Sequence, residues 1–146
     1  GPNRPETKDK LDLTGLEYDQ LPPTLQDRYI ELRKLSVKEF PTTTAILLRS
    51  ILETTVKYYL DVKGSPTTQA LKQVLQDLKK AEGQKALMAC INQVDSGGSE
   101  KPGSVAWFNM VAHSPDRLVF PEDVHKAWKV VEPLLRRLLA DVGGGR

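Results

Sequence analysis

The chain of 146 residues carries 39% hydrophobic and 27% charged side chains, which suffices for one domain around one core and leaves no room for a second. Its net charge of +2, from 21 basic and 19 acidic residues without a basic cluster, gives no footprint of strong phosphate-backbone binding. The single cysteine excludes an internal disulfide and suits a core thiol in a reducing compartment, and no apolar run approaches the roughly 18 residues of a membrane span.

Gly1-Pro2 has the look of a protease-cleaved tag remnant, so the expectation is a domain excised from a larger cytoplasmic protein. Residues 1–20 are polar and lack helical periodicity, which predicts a flexible lead-in with Leu11, Leu13 and Leu16 laid against the surface. The helical domain is expected over 21–141, with 142–146 a glycine-rich flexible tail.

Pro22 and Pro23 open a first helix over 24–40, in which Leu25, Tyr29, Leu32 and Leu35 recur at three-and-four spacing. Pro41 starts a second helix, with Thr42, Thr43 or Thr44 able to cap it, and this helix continues to about Val62. Ala45, Leu48, Leu52, Thr55 and Tyr59 share one of its faces, while Ile46, Leu47 and Ile51 carry apolar surface well beyond it. A helix so broadly apolar belongs at the centre, packed on more than one side.

Gly64 and Pro66 break the chain, and Thr67 or Thr68 is the expected cap of a third helix bearing Leu71, Val74, Leu75 and Leu78, stopped by Gly83. A fourth helix repeats the spacing with Leu87, Cys90, Ile91 and Val94, and the glycine- and serine-rich stretch 95–103 predicts a mobile loop. The short fifth helix, 104–113, carries Val105, Trp107, Phe108 and Val111 and ends at Ser114-Pro115. Pro121, Glu122 and Asp123 start the last helix, whose stripe is Val124, Trp128, Val131, Leu135 and Leu138. Pro133 falls on the opposite, solvent-facing side, where its missing N–H bends the helix around the core. With no strand periodicity anywhere, the fold class is all-α, a single bundle of about five to six helices.

Standard chemical motifs are absent: no glycine-rich phosphate loop, no nucleophile elbow, and no Cys or His cluster at metal spacing, so neither metal nor cofactor is expected. The polar residues that stand out on apolar helices are Arg49 with Glu53, and Asn109 with His113, each pair at i, i+4. If their helices pack together the four form either a structural hydrogen-bond network or a binding site. His125, in the first turn of the last helix, reads as a surface residue.

The run Leu47-Leu48-Arg49-Ser50-Ile51-Leu52-Glu53, followed by two middle helices and then Asn109-Met110-Val111-Ala112-His113, resembles the HEPN-like helical superfamily, and its uncharacterised bacterial branch in particular. The resemblance spans roughly 24–139 and rests on short motifs. It implies a HEPN-like bundle that pairs into homodimers, often beside defence or DNA-processing domains. Active members are metal-independent endoribonucleases that place an arginine a few residues before a histidine. Here the histidine corresponds to His113, with Asn109 as its polar companion, but positions 107–109 hold Trp107, Phe108 and Asn109 where that arginine would stand. The expectation is therefore a non-catalytic protein-interaction or dimerisation module. The alternative is a ribonuclease or RNA-binding toxin-type domain using His113, Asn109 and Arg49.

Overall fold

The computed structural model describes residues 9–81 and 85–144, and among them it is all-helical, a single bundle of six helices without strands. In chain order these are α1 (Pro23–Lys34), α2 (Pro41–Val62), α3 (Leu71–Ala81), α4 (Lys85–Asp95), α5 (Val105–His113) and α6 (Pro121–Gly144). The Gly1-Pro2 remnant, the first part of the lead-in, the Gly83 stop and the last two tail residues lie outside the described residues.

The second helix occupies the centre, as its broad apolar surface requires, and packs against α1, α3, α5 and α6. Leu48, Ile51, Leu52, Val56 and Leu60 of α2 are all fully buried and belong to one continuous core with Tyr29, Leu32, Leu75, Ile91, Phe108, Val131 and Leu135. Burial on several sides forces its polar groups to find partners. Thr55 shares a 2.7 Å hydrogen bond with the Tyr29 hydroxyl, and burial pushes the Tyr29 phenol far above its ordinary range. On the neighbouring flank Arg28 of α1 donates to Ser50 Oγ at 3.2 Å and to Thr54 Oγ1 at 2.7 Å. At the C-terminal end the Tyr59 hydroxyl donates to Asp141 at 2.5 Å, so the last turns of α2 and α6 lie together.

Several expectations need correction. The lead-in is not loose where it is described: Leu11, Leu13, Leu16, Tyr18 and Leu21 are all buried, in a non-helical strap laid across the bundle. The strap is held by polar contacts as well as apolar ones. Trp128 Nε1 donates to the Asp12 carbonyl at 3.2 Å, Arg136 donates to the Thr14 carbonyl at 3.0 Å, and the Tyr18 ring stacks on Tyr29 with centroids 5.2 Å apart.

The first helix stops at Lys34 instead of reaching Phe40, because Leu35 is extended and Val37 turns into the core. Asp9 holds that turn. Its carboxylate accepts from the Lys38 N–H and the Ser36 hydroxyl, both at 2.9 Å, and those bonds keep its pKa below the usual value.

Caps also differ from their sequence assignments. Pro41 opens α2 without any side-chain cap, and the Thr44 hydroxyl instead donates back to the Phe40 carbonyl at 2.6 Å. Thr67 accepts from the Gln69 N–H at 3.2 Å in a local turn ahead of α3, which begins only at Leu71. The last helix runs on to Gly144, past the expected domain end at 141, and Pro133 does face solvent.

The loop expected to be mobile is pinned at several points. Lys101 Nζ donates to the Gln93 carbonyl at 2.7 Å and the Ser96 carbonyl at 3.2 Å, covering the C-terminal end of α4. Ser104 donates to the Gly98 carbonyl at 2.8 Å while its oxygen caps the Trp107 N–H at 3.0 Å. Gly103 is buried against α6 with φ +95°, and a Cβ there would lie 2.8 Å from the Val130 Cβ and 3.0 Å from the Ala127 Cα. Both its backbone and its surroundings demand glycine.

Two stability measurements check this architecture. Leu13→Ala should cost about 2–3 kcal/mol in urea unfolding, because the strap is core; a change under about 0.5 kcal/mol, ordinary for an exposed surface position, would sink its assignment. Gly103→Ala should cost about 2–4 kcal/mol, from left-handed strain of roughly 1–2 kcal/mol plus overpacking. Gly64→Ala meets open space at φ +88°, so only the strain of about 1–2 kcal/mol should appear there.

Candidate functional site

The α2 residues Arg49 and Glu53 are one turn apart on a flank that α5 partly covers, and each keeps about a fifth to a quarter of its side chain accessible (21% and 24%). Across the helix pair Arg49 Nη2 donates to Asn109 Oδ1 at 3.1 Å. Along α2, Arg49 Nη1 stands 3.9 Å from Glu53 Oε1, a long and weak pair, while Lys57 Nζ approaches Glu53 Oε2 at 3.3 Å. Arg49 Nε is buried and has no partner among the described residues.

Three of the four singled-out residues are therefore brought together, and the fourth is not. His113 is exposed in the last turn of α5, and its side chain makes no hydrogen bond or ion pair among the described residues. Its i, i+4 relation to Asn109 places both on one side of the helix, but the contact with Arg49 occurs one turn earlier. The chain leaves helical geometry immediately afterwards, at Ser114, whose N–H bonds to the Met110 carbonyl.

Lys57 is the member of this row that the sequence reading passed over. The signal was available, since Arg49, Glu53 and Lys57 repeat at four-residue spacing and alternate in sign.

The row faces an open surface. On the α1 side of α2, Leu35, Thr43, Ile46, Leu47 and Ser50 line a shallow groove of about 480 Å³, with Glu31 and Lys34 on its rim. Ile46 is 46% exposed in it, and Phe40, just before α2, is 50% exposed. Ile46 is thus the exposed large apolar side chain of this groove, beside the half-buried Leu35 and Leu47. The aromatics Trp107, Phe108 and Trp128, by contrast, are all buried in the core and are unavailable as interface anchors.

Chemically the row can fix the crossing of α2 and α5 and can offer charged groups to a neighbour. No group of three or more His, Cys, Asp or Glu side chains among the described residues is placed to hold a metal ion. No helix among them is long and apolar enough to cross a membrane. Comparisons of the chain with protein-family models, with curated proteins and with solved structures found no match.

Asn109→Ala should destabilise the domain by about 1 kcal/mol, since a half-exposed hydrogen bond to a charged group is lost. His113→Ala should stay within about 0.5 kcal/mol of the parent, as expected for an exposed side chain without partners. Urea unfolding of both variants reads this difference, and a loss at His113 equal to that at Asn109 would place the imidazole inside the network.

Proposed function

We propose that this domain is a non-catalytic, HEPN-like interaction module that pairs with a second copy of itself along the exposed strip of α2. The observation that carries the reading is that Arg49 is engaged by Asn109 and lies beside Glu53, one turn from an exposed apolar groove. One of Arg49's donors is held by Asn109, and the His113 side chain stands apart from that contact, exposed at the end of α5.

A second copy suits the groove because its rim carries one acid and one base on the same helix, Glu31 and Lys34. In an isologous pair such a patch opposes its own image, and a mixed rim can then match charge with counter-charge. Ile46 supplies the exposed apolar anchor, with Leu35 and Leu47 beside it.

Sedimentation of the purified chain should show a concentration-dependent dimer that Ile46→Asp disrupts without unfolding the monomer. Labelled RNA incubated in EDTA should survive equally with the parent and with His113→Ala. A monomer at every concentration removes the pairing, whereas metal-independent cleavage lost in a folded His113→Ala variant establishes the ribonuclease reading in its place.

A further inference from the structure

The α4 and α6 helices pack antiparallel, and between them lie two adjoining depressions of about 640 and 320 Å³ that share Cys90 and Pro133. Joined, they form one groove that follows α6 from Lys129 to Asp141, about 18 Å at the helical rise. Its middle is apolar, with Leu87, Cys90 and Val130 along the floor.

The charges on its walls are unbalanced. Glu132 is taken by Arg136, which also donates to the strap at the Thr14 carbonyl. Asp141 is taken by the Tyr59 hydroxyl and by Lys63 at 3.2 Å, contacts that hold its carboxyl below the usual range. Lys129 and Arg137 remain, both exposed, their side chains without a hydrogen bond or ion pair among the described residues. They stand at the same side of α6, eight residues and about 12 Å apart, with Pro133 midway. Because proline has no N–H, the Lys129 carbonyl also lacks its usual intrahelical donor four residues on.

From these features we infer that the α4–α6 groove is a docking site for an acidic amphipathic helix of a partner protein. The fitting segment has about three turns, with carboxylates seven or eight residues apart to meet Lys129 and Arg137 and apolar residues between them to cover Cys90 and Val130. A nucleic acid fits less well. Its phosphates recur about every 3.4 Å along a strand, whereas the two free cations are separated by an apolar stretch. The site lies on a different face from the α2 strip and does not rest on self-association.

Cys90 is the single cysteine and is half-buried in the groove, so its alkylation rate reports occupancy directly. The probes are a helix-stabilised peptide of about 14 residues with two glutamates seven apart flanking a leucine pair, and its twin with lysines in place of glutamates. The acidic peptide should slow modification of Cys90 by N-ethylmaleimide in the full chain, and the lysine twin should not. Lys129→Glu and Arg137→Glu, both at exposed positions, should each weaken the acidic peptide about tenfold, and the double variant should prefer the lysine twin. Circular dichroism verifies that the variants fold. Equal protection by both peptides, protection by neither, stronger protection by a single-stranded oligonucleotide, or protection that rises with protein concentration alone would each overturn the proposal.

Discussion

A helix covered on four sides must carry its polar groups somewhere they can be satisfied, and in this domain that requirement falls on α2. The apolar positions Leu48, Ile51, Leu52 and Val56 commit it to the centre. Every polar side chain that then faces a neighbour becomes a constraint on where the neighbour sits. Tyr29 and Arg28 fix α1 through Thr55, Ser50 and Thr54; Asn109 fixes α5 through Arg49; Asp141 fixes the end of α6 through Tyr59. An unpaired group at the most buried of these positions would cost about 1–3 kcal/mol, enough to select one packing arrangement over its near alternatives.

Arg49 gives one donor to Asn109 across the helix pair and sets another against Glu53 along α2. The row Arg49, Glu53, Lys57 thus acts first in the fold, and its remaining exposure makes it available to a neighbouring surface. The same residues can serve both ends, because partial burial orders them and partial exposure lets them be read.

Much of the bundle was legible in the sequence, and the reason is local. Pro41 and Pro121 mark helix starts by fixing φ, and three-and-four spacing marks the buried faces. The strap was legible only in part: Leu11, Leu13 and Leu16 were expected against the surface, but Tyr18 and Leu21 were not, and the segment was expected to be flexible. Leu11, Leu13, Leu16, Tyr18 and Leu21 have no helical period to announce them, since an irregular segment takes its pattern from the surface it fills, here made by Tyr29 and Trp128. The glycine-rich loop failed in the opposite direction. Its composition signals freedom in an isolated chain, yet Gly103 is there for close approach to α6, and Lys101 and Ser104 fasten what lies on either side.

For the candidate site, spacing gave direction around a helix without giving height along it. Asn109 and His113 do point to the same side of α5, but a neighbouring helix meets that side at one level only, and Arg49 meets it at Asn109. Relationships between residues on different elements depend on where axes cross, which no single-segment pattern records. The charge balance of the α4–α6 groove is of the same kind. Lys129, Glu132, Arg136, Arg137 and Asp141 read along the chain as an evenly mixed helix. Arg136 pairs with Glu132 one turn away on the same helix, and the tertiary contacts of Asp141 with Tyr59 and Lys63 take the second acid, which leaves the groove basic. Function on such a surface comes from which charges the fold has already used.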